Sequence, residues 1–193
     1  MDSRKKTSKD LNTLSELVQV LDEVDRKNYT SILKSLQLPS TEFEKFASWS
    51  DTCYTRNCIA ENEKFELILI CWQEGQETSI HDHGGEECWV NIIEGDFIEH
   101  IYKKNDEGIL EIVKTNKSEK GGVTYMVDFM GYHSLKNNSQ SRSMSLHLYA
   151  KPIRNCNVYD SEKKSFTRKD LVYDSVEGIN EINKINKENI CLN

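Results

Sequence analysis

Residues 75–95 read GQETSIHDHGGEECWVNIIEG, and the fold prediction starts from the two histidines within them. His81 and His83 stand two positions apart, and in an extended strand residues i and i+2 point to the same side. Both imidazoles can therefore reach one metal ion. A third histidine, His133, follows Gly131 on a later segment, where a turn of the chain can bring it against the first two. This pattern predicts a metal site built on β-structure.

The expected donor set favours a catalytic metal over a structural one. Three neutral imidazoles form one face and leave positions open on Fe(2+) for substrate and dioxygen, whereas a structural zinc takes a closed set of four ligands. The six cysteines contain no C-x-x-C pair, so a zinc ribbon or a thioredoxin-like redox site has little support. Nothing in the sequence indicates an oxidising compartment, and we expect the cysteines to be free thiols.

The glycines around the histidines are spaced as in the two motifs of the cupins, which are small β-barrels with tight turns. The matching positions are Gly75, His81, His83 and Gly95 in the first motif, and Gly131, His133 and Asn137 in the second. In this register Cys88 stands where cupins usually carry a Glu ligand. Glu86 and Glu87 are next door and remain alternative ligands. A one-residue slip reverses the facing sides of a strand, so only one of these two acids can point inward.

After residue 50 the chain consists of short runs rich in Ile, Val, Tyr, Phe and Trp, separated by Gly, Asn and Asp, as is typical of strands and turns. The predicted strands are Tyr54–Ile59, Phe65–Trp72, Glu77–His83, Cys88–Glu94, Phe97–Tyr102, Leu110–Thr115, Val123–Phe129, His133–Lys136 and Ser143–Ala150. Nine short strands predict a barrel or a sandwich. Gly95-Asp96 is a predicted tight hairpin turn, because Gly accepts a positive φ without steric cost.

Helices are predicted before the strands. Apolar residues from Leu11 to Leu38 recur at intervals of three and four, which indicates two amphipathic helices. Pro39 ends the second, and Ser40 or Thr41 can cap a short third helix. The fold class is therefore mainly β, a small jelly-roll-like cupin β-barrel with N-terminal α-helices. We expect a single domain over 1–193, with 7–49 helical, 50–160 forming the barrel and 161–193 a partly loose extension.

Composition and charge exclude several function classes. The chain has 193 residues, of which 37% are apolar and 30% charged, and Lys plus Arg number 25 against 32 Asp plus Glu. The resulting net charge of −7 argues against a broad nucleic-acid-binding surface. No secretory signal or membrane-spanning run is recognisable. We expect a cytoplasmic protein that acts on small molecules, without nucleic acid or membrane partners, and a monomer as the simplest assembly.

The sequence resembles the cysteine dioxygenases, a cupin family in which a three-histidine iron site replaces the arrangement with a Glu. The resemblance runs from about residue 14 to about residue 160. It is carried by Tyr54-Thr55-Arg56-Asn57, Cys71-Trp72, Ser79-Ile80-His81-Asp82-His83, Cys88 and Ser145-Leu146-His147-Leu148-Tyr149. It implies one Fe(2+) per chain, held by His81, His83 and His133. It also implies that Arg56 binds the substrate carboxylate, with Tyr54 beside it.

Further roles follow from the same resemblance. Cys88 and Tyr149 fall where the family forms a thioether between the cysteine sulfur and the ring carbon next to the phenol oxygen. Ser145, His147 and Tyr149 alternate along one strand, so one face presents the hydrogen-bonded relay of the family. Cys156 matches a cysteine near the mouth of the active site. The alternative, purely structural roles are core packing for Tyr149 and an ordinary buried imidazole for His147.

The resemblance implies oxidation of L-cysteine to cysteine sulfinic acid by O2, the first step of cysteine catabolism toward hypotaurine, taurine and sulfate. The planar guanidinium of Arg56 suits a carboxylate, although a surface salt bridge is its alternative, purely structural role. One alternative is a dioxygenase for another thiol, such as a mercapto acid or cysteamine. A second is a zinc or manganese cupin, either an isomerase or without enzymatic activity, in which Glu86 or Glu87 is a ligand.

Overall fold

The computed structural model describes residues 11–180 and places three α-helices before the strands. They are α1 (Leu14–Glu23), α2 (Tyr29–Lys34) and α3 (Thr41–Glu44). Thr13 caps α1, since its side-chain oxygen accepts the backbone N–H of Glu16 at 3.2 Å. The predicted helices are confirmed, although α2 and α3 are short and a 3-10 turn precedes α2. Residues 7–10 of the predicted helical part lie outside the described residues.

Strands make up most of the remaining described chain. They are β1 (Thr55–Glu61), β2 (Glu66–Trp72), β3 (Cys88–Glu94), β4 (Asp96–Lys104), β5 (Leu110–Glu119), β6 (Val123–Met126), β7 (Tyr132–Asn137), β8 (Ser143–Tyr149), β9 (Asn155–Asp160), β10 (Ser165–Asp170), β11 (Ser175–Val176) and β12 (Ile179–Asn180). A 3-10 turn, Asp128–Met130, lies between β6 and β7 and shortens the predicted strand Val123–Phe129. The mainly β, jelly-roll-like cupin fold with N-terminal helices is confirmed.

The strands form three sheets rather than one closed hydrogen-bonded barrel. The largest sheet has the order β12-β11-β1-β2-β8-β3-β6, the second has β5-β4-β7, and β9 pairs with β10. Among these pairs, only β1 with β11 is parallel. Since β8 lies between β2 and β3, residues far apart in sequence come together on one sheet face.

Strand β2 separates two apolar cores, and all seven of its residues are buried. Leu67 and Leu69 belong to the core that contains the N-terminal helices. Ile68, Ile70 and Trp72 belong to the interior core, which also holds residues of β3, β4 and β8. Each such aliphatic side chain gains about 1.5–3 kcal/mol on burial. The helices therefore cover the outer face of the sheet and leave its inner face for the site.

The predicted strand Glu77–His83 is wrong. This segment makes only isolated bridges, which pair Glu77 with Lys136 and His81 with both His133 and Val158. The physical reason is its position between two partners. Its backbone bonds alternately to β7 and to β9, so no continuous ladder forms with either strand. A period-two pattern cannot distinguish this arrangement from a strand.

The predicted hairpin at Gly95-Asp96 is also wrong. Gly95 has a φ of +89°, so the positive φ itself is as expected. However, β3 pairs with β6 and β8, whereas β4 pairs with β5 and β7. The turn therefore carries the chain from the first sheet to the second. Sequence shows that a turn is tight, but not which strands it joins.

The described part of the predicted C-terminal extension is ordered. Strand β10 pairs with β9 over 155–170, and β11 lies parallel to β1, with Asn57 opposite Ser175. Residues 181–193 of the predicted extension lie outside the described residues. No helix within 11–180 has the length and apolar character that a bilayer crossing requires.

The expectation of free thiols holds for four cysteines and is wrong for one. Cys58, Cys71, Cys88 and Cys156 are free and buried. Cys53 is disulfide-bonded. Burial raises the pKa of Cys58, Cys71 and Cys156 to about 12. These three thiols therefore stay protonated and unreactive at neutral pH.

Candidate metal centre

The three predicted ligands meet inside the fold. His81, His83 and His133 are buried, and one nitrogen of each lies within 4.8 Å of the other two. The Nε2 atoms of His83 and His133 are 3.0 Å apart. Among the described residues, these histidines form the one group of His, Cys, Asp or Glu side chains with the geometry of a metal site.

Backbone hydrogen bonds tie two of the ligands together. The N–H of His81 donates to the carbonyl of His133 at 3.0 Å, and the N–H of His133 donates back at the same distance. Gly131 allows this approach. Its φ is +124°, and a Cβ at this position would collide with the carbonyl oxygen of Tyr102. The ligand positions are therefore set by the backbone as well as by side-chain packing.

The tautomers of two ligands follow from their acceptors. His81 Nδ1 lies 2.9 Å from the carbonyl oxygen of Ser79, and His133 Nδ1 lies 2.8 Å from Glu99 Oε1. An oxygen acceptor requires the proton on Nδ1, which leaves the lone pair on Nε2. Both Nε2 atoms therefore offer a lone pair to a shared cation. This donor set fits a metal ion.

Glu99 is a supporting residue that sequence reasoning missed. Its side chain is 3% exposed, and its second oxygen accepts the Nδ2 hydrogen of Asn116 at 2.9 Å. Burial raises the pKa of Glu99, but the hydrogen bonds from His133 and Asn116 and the nearby charges of His133 and Lys114 together outweigh it, so the pKa lies below its usual value. A carboxylate behind a histidine orients the ring and makes it a better ligand. The available signal was the alternation of β4, which turns Phe97, Glu99 and Ile101 inward.

Two carboxylates fix the turn that follows His83. Asp128 accepts the backbone N–H of His83 at 2.9 Å and that of Gly85 at 2.6 Å. Asp82 accepts the backbone N–H of Gly84 at 3.2 Å and bonds the backbone and side chain of Asn157 at 2.8 and 2.7 Å. The backbone of His83 is therefore held from two sides.

Burial keeps the imidazoles of His81 and His83 neutral. It lowers the pKa of His81 to about 3, with a further lowering from neighbouring His133. It also lowers the pKa of His83 and of His147 well below the usual range. A neutral imidazole is the form that binds a metal ion.

A cavity joins the histidines to the predicted substrate residues. Its lining is Tyr54, Arg56, Ile70, Thr78, His81, His83, His133, Leu135, His147, Tyr149, Ile153, Cys156 and Leu171. Arg56 is 3% exposed, and its Nη1 and Nη2 atoms have no hydrogen-bond partner among the described residues. This excludes a surface salt bridge as the role of Arg56. A buried guanidinium without a partner is costly unless an anion binds it.

Cys88 and Tyr149 lie side by side at the inner face of the sheet. They are directly opposed in the pairing of β3 with β8, and their side chains are hydrogen-bonded. Burial raises the pKa of both groups. Ser145 Oγ lies 2.8 Å from His147 Nε2 and accepts the indole N–H of Trp72 at 2.9 Å. The predicted relay residues are therefore adjacent on β8.

The alternative carboxylate ligands lie outside this metal group. Glu87 contacts Arg26 at 2.9 Å and accepts the hydroxyl of Tyr125 at 2.5 Å, on the helix side of the sheet. Glu86 donates its backbone N–H to the carbonyl of His83. Neither acid belongs to the metal-site group of the described residues. His100 also lies outside this group, and its Nδ1 is 2.9 Å from Thr115 Oγ1.

Comparisons with known proteins agree with this geometry. The family model for cysteine dioxygenase type I matches residues 2–162. The chain is 31% identical to cysteine dioxygenase type 1 of Homo sapiens over 179 residues, which is 86% of this chain and 88% of the human protein. It is 30% identical to the Danio rerio protein of that name over 159 residues, or 77% of this chain and 79% of the relative.

Solved structures with some similarity include a cupin domain from Schizosaccharomyces pombe. Its TM-score is 0.44 at 15% identity, and the match covers 55% of this chain and 69% of that domain. The family model and the relatives cover the histidines, Arg56, Cys88 and Tyr149. The chain therefore belongs to the cysteine dioxygenase type I family.

Proposed function

We propose that this protein is an Fe(2+)-dependent dioxygenase that converts the thiol of L-cysteine to cysteine sulfinic acid. One observation carries the proposal. The buried Arg56 guanidinium, whose Nη atoms have no hydrogen-bond partner among the described residues, lines the same cavity as the three histidines. A carboxylate group and a thiol of one small molecule can then be bound at opposite ends of that cavity. L-Cysteine carries both groups, and its oxidation converts the thiol to a sulfinic acid while the carboxylate is retained.

Arg56 and Tyr54 would bind the substrate carboxylate. The guanidinium offers parallel N–H donors that match the two carboxylate oxygens, and its charge does not depend on pH. The Tyr54 ring packs against Trp72 with ring centroids 4.8 Å apart, so its position is fixed. Binding one end of the molecule in this way orients the thiol and converts an encounter reaction into one within a complex.

His81, His83 and His133 would hold the metal. When bound, Fe(2+) supplies a Lewis-acidic and redox-active centre at which a thiolate and dioxygen can react. The reaction balances without an added reductant, because both oxygen atoms of O2 end on sulfur and take up the electrons that sulfur loses. The apolar lining from Ile70, Leu135 and Leu171 excludes bulk water from this chemistry.

Tyr149 would donate a hydrogen bond to the reacting groups. Its ring lies 5.7 Å from that of His83, and burial raises the pKa of its phenol, so the proton stays on oxygen at neutral pH. His147, bonded to Ser145, stacks near it with centroids 6.3 Å apart. We propose that this pair orients Tyr149 toward the cavity.

We also propose a thioether between the Cys88 sulfur and the ring carbon of Tyr149 next to the phenol oxygen. The S–H and C–H bonds break, the C–S bond forms, and dioxygen takes up the two hydrogens. Their opposed positions and hydrogen bond support it. Such a link would remove rotational freedom from the phenol and hold it at the cavity.

Oxygen uptake by the purified, Fe(2+)-loaded protein tests the function. L-Cysteine should be consumed with one O2 per sulfinic acid formed, whereas His133→Ala should lose iron binding and turnover together. His100→Ala is the matched control and should keep both. Absence of uptake with cysteine, or full activity in iron-free protein, would contradict the proposal.

A panel of thiols separates cysteine from other substrates. In Arg56→Lys the KM for cysteine should rise by about tenfold or more, because the bidentate contact to the carboxylate is lost. The KM for cysteamine, which has no carboxylate, should stay the same. A parent enzyme that prefers cysteamine or a mercapto acid would favour another thiol dioxygenase.

The remaining parts of the proposal concern the whole molecule. We infer a cytoplasmic monomer with one domain, one Fe(2+) per chain and small-molecule substrates only. The net charge of −7 supports the absence of nucleic acid partners. Light scattering and metal analysis of the purified protein test the assembly and the stoichiometry.

A further inference from the structure

Residues 171–174, here called the strap, cross β1 beside the substrate residues. The backbone N–H of Asp174 donates to the carbonyl of Arg56 at 2.8 Å, and the N–H of Arg56 donates to Asp174 Oδ2 at 2.8 Å. The strap brings Leu171 into the lining of the cavity and Tyr173 against the interior core. The neighbourhood of Arg56 is therefore partly made by a segment that follows the barrel.

Tyr173 lies between a cation and an anion. The guanidinium of Arg56 sits over its ring at 5.8 Å from the centroid, within the range of a cation–π contact. Its hydroxyl is hydrogen-bonded to Glu66 Oε1. Glu66 is 0% exposed. Burial raises the pKa of its carboxyl group to about 7, and the nearby charge of Arg56 lowers that pKa by a smaller amount.

Glu66 is the acid that would otherwise pair with Arg56. Its oxygens already have partners, because Ile153 donates its backbone N–H to Oε2 at 3.2 Å and Tyr173 occupies Oε1. Arg154 Nη1 also lies 3.6 Å from Oε1. A phenol has one proton to donate. Arg154 Nη1 donates to Glu61 Oε2 at 2.8 Å and to the Tyr173 hydroxyl oxygen at 2.9 Å. That hydroxyl lies 2.8 Å from Glu61 Oε2 as well as against Glu66 Oε1. Because Glu61 already receives Arg154, we assign the single phenol proton to Glu66.

We propose that Tyr173 is a positioning residue that gives the site its specificity for amino-acid thiols. Its hydroxyl holds Glu66 and its ring holds Arg56, so the guanidinium stays open to the substrate carboxylate instead of closing on Glu66. This inference rests on the proposed function, since it assigns Arg56 to that carboxylate. Without the hydroxyl, Glu66 competes with the substrate for the same cation.

The test separates the hydroxyl from the ring. Tyr173→Phe keeps the ring and removes the bond to Glu66, and Tyr173→Phe combined with Glu66→Gln also removes the competing charge. Tyr159→Phe, whose ring packs on Phe166 in the β9–β10 hairpin, is the matched control. Kinetics are measured with L-cysteine and with cysteamine at about pH 8, where Glu66 is ionised, because burial raises its pKa only to about 7.

Tyr173→Phe should raise the KM for cysteine about tenfold with little change in kcat, since a hydrogen bond to a charged group is lost and binding alone is affected. The KM for cysteamine should not change. Adding Glu66→Gln should restore the KM for cysteine, a rescue that a purely structural role would not produce.

An unchanged KM in Tyr173→Phe, or a raised KM that Glu66→Gln does not restore, would overturn the inference. Arg56→Lys distinguishes this failure from failure of the proposed function. If Arg56→Lys raises the KM for cysteine and Tyr173→Phe does not, only the role of Tyr173 is wrong. If the parent protein takes up no oxygen with cysteine, the proposed function is wrong and the inference is overturned with it.

Discussion

Cys88 and Tyr149 occupy directly opposed positions on β3 and β8, with their side chains hydrogen-bonded in a buried site. The neighbouring pairs of the same ladder are Val90 with His147 and Ile92 with Ser145. Sheet register alone therefore places the thiol against the phenol. No loop movement is needed to bring the two groups together.

The first prediction concerns the thioether. Purified protein that has turned over with Fe(2+) and cysteine should run as two bands on a denaturing gel, because a cross-linked chain is more compact. Intact mass should be lower by two hydrogens in the linked form. Cys88→Ser and Tyr149→Phe should each give one band. Cys71→Ser is the control, since Cys71 packs on the helix side. A doublet that persists in Cys88→Ser would rule out this pairing.

The second prediction concerns Glu99. In Glu99→Gln the negative charge behind His133 is lost, and the amide can present a donor to an Nδ1 that already carries a proton. Metal affinity should fall by about 10- to 100-fold. Competition with a chelator on the purified protein measures this without turnover. Glu119→Gln, at an exposed position of β5, should bind metal as the parent does. Equal affinity in the parent and Glu99→Gln would show that the contact does not support the ligand.

The third prediction concerns Asp128, which accepts backbone N–H groups from His83 and Gly85. In Asp128→Asn one oxygen becomes an amide donor that faces an N–H, so one bond is lost. The free energy of unfolding should fall by about 1–3 kcal/mol. Urea unfolding measures the change, and hydrogen exchange at the two amides locates it. Asp106→Asn in an exposed turn is the control. Unaltered hydrogen exchange at both amides would contradict the role of Asp128 in holding the backbone of His83 and Gly85.

The fourth prediction concerns pH and Glu66. Burial raises the pKa of Glu66 from 4.5 to about 7, so the folded state binds a proton that the unfolded state has lost. This contribution to stability is complete below about pH 4.5 and is lost as the pH rises through about 7. The parent should lose on the order of 3 kcal/mol more than Glu66→Gln over this range. Denaturant unfolding across the pH series measures the difference.

The control for that experiment is Glu63→Gln, at an exposed position in the β1–β2 turn. Its pH dependence should follow that of the parent. If Glu66→Gln also follows the parent, then Glu66 is ionised in the folded protein at neutral pH. Interactions in the folded protein then offset the free-energy cost of burying its charge more fully than the observed contacts indicate.

The sequence predicted those features that depend on local pattern. Alternation located β1 to β5, β7 and β8 to within a few residues, and the intervals of three and four located α1 and α2. Four of the site residues, Arg56, Cys88, His147 and Tyr149, line or adjoin the cavity because each lies at an inward position of a predicted strand. The pairing of these strands was not readable from the sequence, and the resemblance to a family supplied it.

Features that depend on distant partners were missed. Residues 77–83 have the period of a strand but divide their hydrogen bonds between β7 and β9. Glu99 was not distinguished from other acids, because its role comes from His133, which lies 34 positions later. Tyr173 follows a stretch with little periodicity, and its contact with Arg56 spans most of the chain. No local signal carries such information.

The reciprocal backbone bonds between His81 and His133 have a consequence for maturation. The backbone bridge between their two segments already brings these imidazoles together, so the protein does not need a metal ion in order to fold. Stripping the ion should leave a folded apoprotein that reloads reversibly, unlike small zinc modules whose collapse depends on the ion. Supply of iron, rather than folding, would then set how much of the protein is active.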